Sequence, residues 1–204
     1  MTVTAVEPYT KTKYKVSIDG KFAFVLYKGE LSRFHIREGE QLSEEARQKI
    51  CSEVLLKRAK LRAMHLLSDM DRTESALREK LRLGLYPPEI IDAAVEYVRS
   101  FGYLNDARYA ENFVRSRQGV KSRKEIRAQL LQKGVPPEMI DNAFEACDDE
   151  GGEAAAVRRL LGKKRFDPAC ADEREMQRIY GYLARKGFSY ETVRQVIQNY
   201  EVDA

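Results

Sequence analysis

The chain has 204 residues, 43% of them apolar and 33% charged, which is enough apolar surface for real cores and more charge than the roughly 25% of an average domain. That balance excludes a disordered chain and favours thin, well-solvated elements over one thick globule. The net charge of +4 is too small to establish nucleic acid as a partner, and Cys51, Cys147 and Cys170, far apart and without a C-x-x-C, speak against a disulfide framework or a zinc site and for a reducing compartment.

The opening stretch MTVTAVEPYTKTKYK lacks the apolar core of about 7 to 15 residues that a secretory signal needs. No apolar run reaches the roughly 18 residues of a membrane span. A soluble, cytoplasmic protein with no membrane partner is the expectation. Residues 12 to 27 then alternate: Tyr14, Val16 and Ile18 against Lys13, Lys15 and Ser17, and Phe22, Phe24 and Leu26 against Ala23, Val25 and Tyr27. Asp19-Gly20 lies between the two runs, and period two flanking D-G predicts a β-hairpin with a type I′ turn. A lone hairpin is marginal in water, so its apolar side is expected to rest on ELSRFHI (30 to 36) and the first long helix. That helix opens at Ser43 as N-cap, with Glu44 and Glu45 in the first turn.

From there the chain reads as helix, and it repeats itself. Moving from Thr73 to Ser122, a shift of 49, places Leu77 on Ile126, Arg78 on Arg127, Leu81 on Leu130, Pro87-Pro88-Glu89 on Pro136-Pro137-Glu138, and Asp92 on Asp141. A further shift of 53 places Ile126 on Ile179, Leu130 on Leu183, Gly134 on Gly187 and Ile140 on Val193, with Ser189-Tyr190 where the prolines were. Gly134 and Gly187 fall where a helix ends and positive φ is cheap. Pro at the start of the next helix loses only an N–H that had no intrahelical partner. The expected fold is mainly α: tandem three-helix modules in an elongated curved array behind a small β-hairpin element. The expected divisions are residues 1–42 for the hairpin extension and 43–104, 105–150 and 151–204 for the three modules. ACDDEGGEAAAV is read as a hinge, a break between helices or a plain surface loop, and Asp167-Pro168 marks a second break.

Catalytic signatures are missing. His35 and His65 have no Cys, Asp or His at metal spacing, and no H-E-x-x-H, G-x-S-x-G, Walker loop or G-x-G-x-x-G occurs. No enzyme activity, no metal and no cofactor are expected. Charge is more informative, because its sign alternates by helix. Arg115, Arg117, Lys121, Arg123, Lys124, Arg127 and Lys133 stand against one acid, Glu125; residues 138 to 153 carry seven acids and no base; Arg158, Arg159, Lys163, Lys164 and Arg165 follow. Such strips suit phosphates or an acidic protein surface. The alternative is that the arginines pair with the acidic third helix of their own or the next module. The aromatics, among them Phe101, Tyr103, Tyr109, Phe113, Phe166, Tyr180, Tyr182, Phe188 and Tyr190, are read mostly as packing residues.

FGYLNDARYAENFVRSR, KSRKEIRAQLLQKGV and YLARKGFSYETVRQVI, in that order, closely resemble the RecX family of bacterial regulatory proteins, over about residues 57 to 200. The resemblance implies a curved array of three-helix modules that binds the RecA recombinase and its filament on single-stranded DNA. It implies inhibition of ATP hydrolysis and strand exchange, and so modulation of recombination, DNA repair and the SOS response, by a monomer without catalytic residues. The twelve basic residues named above are the expected binding face, inferred from charge. Two other readings stay open: a helical-repeat protein that binds DNA directly without the recombinase, and a solenoid-type adaptor that holds a peptide.

Overall fold

The computed structural model describes residues 1–147 and 151–200. Three antiparallel strands come first: β1 (Val3–Pro8), β2 (Lys13–Ile18) and β3 (Lys21–Tyr27), in the order β1-β2-β3. Asp19 and Gly20 have φ of 48° and 77°, both positive, as a type I′ turn requires. The third strand was not expected: β1 pairs Val6 with Val16 and Pro8 with Tyr14, and alternation in VTAVEP is its only signal. One departure concerns Phe22. Val16 faces Phe24, but Ser17 faces Phe22, which leaves Ala23 as an extra residue, and this bulge turns Phe22 out to solvent.

Helix α1 (Lys28–Arg33) follows, then α2 (Glu44–Lys49), a π-helical stretch (Ile50–Leu55) and α3 (Leu56–Asp69) in one continuous rod. Ser43 Oγ accepts the Ala46 N–H at 3.1 Å, the expected cap. Ile50, Val54 and Leu55 of the rod share one core with Val3, Val16, Ile18, Phe24 and Leu26 of the sheet and with Ile36, and Leu31 and Phe34 pack on its margin. The sheet therefore rests on ELSRFHI and the first long helix, as expected. Arg58 ties the two together, donating to the Val25 carbonyl at 3.1 Å and pairing with Glu30 at 2.5 Å.

Among the described residues, nine helices from α3 onward form the repeats: α3 with α4 (Glu74–Leu83) and α5 (Pro88–Ser100); α6 (Asp106–Arg115) with α7 (Arg123–Gln132) and α8 (Pro137–Ala146); α9 (Gly152–Lys164) with α10 (Glu173–Arg185) and α11 (Tyr190–Gln198). In each triplet the first helix packs on the third. The middle helix contributes paired apolar residues to the core: Leu77 and Leu81, then Ile126 and Leu130, then Leu183 with Ile179 beside it. Side chains four apart share a helix face, so this is the packing the repeat encodes.

The turn after each middle helix repeats at atomic level. Tyr86, Val135 and Phe188 donate their N–H groups to the carbonyls of Leu81, Leu130 and Leu183, while Leu85, Gly134 and Gly187 donate to Arg82, Leu131 and Ala184. Gly134 and Gly187 take the positive φ of 78° and 93° that this C-terminal cap needs. In the first module the same place holds Leu85, which adopts φ 60° although it has a Cβ. The cap geometry is therefore imposed by packing, at a cost of roughly 1–2 kcal/mol for a non-glycine.

The chain divides into two compact units, Met1–Asn105 and Asp106–Ala204. The first has a single core, and the second has two, one in each of its modules. The expected hinge or break in ACDDEGGEAAAV, with its Gly151-Gly152, lies partly on Asp148, Asp149 and Glu150, outside the described residues. On their far side Gly151, with φ 94°, stands as N-cap of α9.

Candidate functional site

Within the second unit, the N-terminus of α7 meets the C-terminus of α10. Ser122, fully buried, accepts the Glu125 N–H at 3.1 Å and donates its hydroxyl to the Lys186 carbonyl at 2.7 Å. One side chain thus satisfies an orphan donor of one helix and an orphan acceptor of another. The Arg123 N–H donates to Glu153 Oε1 at 2.8 Å, a second bond between the two modules. A Cβ on Gly187 would stand 2.8 Å from Ser122 Oγ and 3.1 Å from Lys124 Cβ, so the absence of a side chain there permits the approach.

The predicted basic residues fall into two groups around this junction. Those of the second module are largely engaged. Arg115 pairs with Glu111 at 3.3 Å and Lys121 with Glu125 at 2.5 Å. Three cations lie over rings: Arg117 at 3.8 Å and Lys133 at 5.8 Å from the Phe113 centroid, and Arg123 at 4.5 Å from that of Phe144. Arg127 pairs with Asp141 of α8 through both carboxylate oxygens, its Nη2 bond being 3.3 Å long. The hydrogen bond to Arg127 holds the Asp141 carboxyl below its usual range and raises the guanidinium in turn. For Arg127 the alternative reading holds: it pairs with the acidic third helix of its own module.

The internal repeat explains why. Arg78 and Asp92, at the corresponding places of the first module, are 2.5 Å apart, and Arg78 also bonds Glu74 at 2.8 Å. In the third module the equivalent places hold Tyr180 and Arg194, and Tyr180 instead packs its ring 5.2 Å from that of Tyr190. Arg127 is thus part of how a module closes. The remaining members are more available. Among the described residues no carboxylate forms an ion pair with Lys124, Arg158, Arg159, Lys163, Lys164 or Arg165, and all six are exposed. Lys164 lies 4.9 Å from the Tyr182 ring centroid.

Several aromatics depart from the packing expectation. Phe113 and Phe188 are buried, and Tyr109, Phe166, Tyr180 and Tyr182 are half-buried. Phe101, Tyr103 and Tyr190 are 60%, 52% and 69% exposed. Phe101 stacks on Tyr103 at 6.1 Å and meets Tyr97 at 5.0 Å, so these rings cover each other rather than a core. Sequence reasoning also passed over Arg178 and Arg185 of α10, which are exposed. Their spacing of seven on one helix places them on a common face and was the available signal.

Among the described residues no group of three His, Cys, Asp or Glu side chains could hold a metal ion, and no helix is long and apolar enough to cross a membrane. The three cysteines are free thiols.

A single pattern of three helices, closed by the same cap and repeated in tandem, defines a helical-repeat protein. Family models agree on the repeat: the first, second and third three-helix domains of RecX match residues 59–97, 105–143 and 152–197. The regulatory protein RecX of Caldanaerobacter subterraneus subsp. tengcongensis is 32% identical over 91% of this chain and 92% of its own length. That of Trichlorobacter lovleyi is 36% identical over 68% of this chain and 92% of its own. A crystal structure of a regulatory protein RecX, 27% identical, superposes with a TM-score of 0.66 over 97% of this chain and 98% of that one. The chain belongs to the RecX family of regulatory proteins.

Proposed function

We propose that this protein binds the RecA recombinase and its filament on single-stranded DNA, inhibits ATP hydrolysis and strand exchange, and so modulates recombination, DNA repair and the SOS response. It acts as a cytoplasmic monomer without chemistry of its own. Within this reading, residues 1–42 are an N-terminal extension and 43–104, 105–150 and 151–204 the working modules. The observation that carries the proposal is membership of the RecX family along three successive domains, together with exposed cations on α7 and α9 and at the end of α9 that, among the described residues, form no ion pair. Lys124, Arg158, Arg159, Lys163, Lys164 and Arg165 are the principal contacts. Arg115, Arg117, Lys121, Arg123, Arg127 and Lys133 add positive potential to the same face while serving their own module.

The test is the DNA-dependent ATPase of the cognate recombinase, titrated with this protein below stoichiometry. Wild type is expected to suppress turnover. The combined variant Lys124→Glu, Arg159→Glu, Lys163→Glu is expected to lose that effect while its circular dichroism stays helical. Full inhibition by the variant would discard the face, and no inhibition by wild type would discard the function.

The free cations of α9 also suit direct DNA binding without the recombinase. In that case log K falls steeply with log salt on naked DNA, as neutralising several phosphates demands, and the ATPase is untouched.

A further inference from the structure

The third module contains a cleft that the recombinase reading does not use. It opens between the end of α9, the connecting segment 165 to 172, and α10, with a volume of about 490 Å³, inside the range of roughly 300–1,000 Å³ typical of small-ligand sites. Its walls carry Lys164, Arg165, Arg178 and Arg185, with Phe166 and Tyr182 as aromatic surface. Among the described residues none of these four cations has an ion-pair partner.

The two carboxylates of the cleft, Asp167 and Glu175, stand against its four cations, a formal excess of two positive charges (four minus two). Asp167 is turned to its own loop, where Oδ1 accepts the Ala169 N–H at 2.9 Å. Arg165 closes α9 in the left-handed region at φ 51°, with the Phe166 N–H donating to the Leu161 carbonyl at 3.1 Å, the cap that also ends the middle helices. Phe166 and Tyr182 belong to the margin of the module's core, so their rings are anchored while one surface of each lines the cleft.

We propose that this cleft binds a nucleotide, with its phosphate on the cations of α9 and α10 and its base against the ring of Tyr182 or Phe166. The chemistry matches on both counts. Guanidinium and ammonium groups recognise phosphate oxygens, and base–aromatic stacking is insensitive to sequence because every base has a π-face. A carboxylate-bearing peptide would satisfy the cations but would engage the rings only if it also carried an aromatic or cationic side chain beside its carboxylate. The nucleotide comes either free from solution or as one unit of a single strand. The site shares Lys164 and Arg165 with the face proposed above but requires no recombinase.

The experiment is a titration at low salt, in the absence of recombinase, followed by tyrosine fluorescence and by amide shifts in the third module. The probes are adenosine monophosphate, a short oligothymidylate and inorganic phosphate. Adenosine monophosphate or the oligonucleotide should shift amides lining the cleft. Arg178→Ala with Arg185→Ala, both exposed and outside the face tested in the ATPase assay, should weaken binding about tenfold or more. Saturation by the mononucleotide alone assigns a free ligand; saturation by the oligonucleotide only, with the same variants failing, assigns a strand. Either outcome supports the site. Three outcomes overturn it: no binding of either nucleotide, binding unchanged by the double variant, or inorganic phosphate binding as tightly as adenosine monophosphate. Inhibition retained in the separate ATPase assay, with no nucleotide bound in this titration, overturns the site and leaves the regulatory reading intact.

Discussion

Gly187 shows how much a single missing side chain can decide. Its φ of 93° is available to glycine without penalty, and the space its Cβ would fill is taken by Ser122 Oγ and Lys124 Cβ. Gly102 has a similar φ of 72° but nothing within 4 Å. Replacing Gly102 by Ala should therefore cost only the left-handed penalty, about 1–2 kcal/mol. Gly187→Ala should cost distinctly more, because the junction between the second and third modules must open to admit the methyl group. Equal shifts of the urea midpoint would refute the packing argument. Ser122→Ala at the same junction removes an N-cap, worth about 1 kcal/mol, and also strands the Lys186 carbonyl. Its loss should exceed that of Ser189→Ala, whose hydroxyl caps Thr192 at 3.0 Å and is exposed.

At the level of elements, ion pairs between the middle and third helices decide which charges are structural. Burial pushes the Glu74 carboxyl up, but hydrogen bonds from Arg78 and Arg99 outweigh it and leave the group below its usual range. A carboxylate depressed in the folded state stabilises the fold above its unfolded pKa, and that contribution disappears as pH falls through the folded value. Glu74→Gln should accordingly cost about 1 kcal/mol near neutral pH and nothing in strong acid, where wild type and variant curves should merge. A constant gap across the pH range would contradict the assignment. The pair in the second module has a related consequence. Arg127→Glu should lower the thermal midpoint because it places a carboxylate against Asp141, whereas Arg159→Glu, which has no ion pair among the described residues, should leave the midpoint in place. Equal midpoints would show that the Arg127–Asp141 pair closes nothing.

On the scale of the molecule, the N-terminal sheet shares its core with α2 to α5 instead of standing alone. Val3, Val16, Ile18, Phe24 and Leu26 cover Ile50, Val54 and Leu55, and Arg58 fastens Val25 and Glu30 to α3. Removing residues 1–27 exposes that surface and leaves Arg58 without its carbonyl. The first unit of such a truncation should lose cooperative melting and become sensitive to protease. The second unit, with cores of its own in both modules, should keep its amide protection. A truncated chain whose first unit melts like wild type would show that the sheet is only an appendage.

Tandem three-helix modules, the D-G hairpin, the Ser43 cap and the glycine turns were legible in the residues, because helical period, capping and positive φ are local physics that the sequence writes directly. The RecX likeness was legible for the same reason, since its signatures sit on those elements. What needed tertiary structure was the fate of each charge and ring. Arg127 and Lys124 stand three residues apart on one helix, yet one closes onto Asp141 of α8 and the other forms no ion pair among the described residues. Phe101 and Phe113 lie in the same stretch, and only the second is buried. The bond from Ser122 to Lys186 and the cleft beside Arg178 and Arg185 join residues apart in the chain, and the strand β1 and the bulge at Ala23 depend on register; all are fixed only when packing chooses which faces meet.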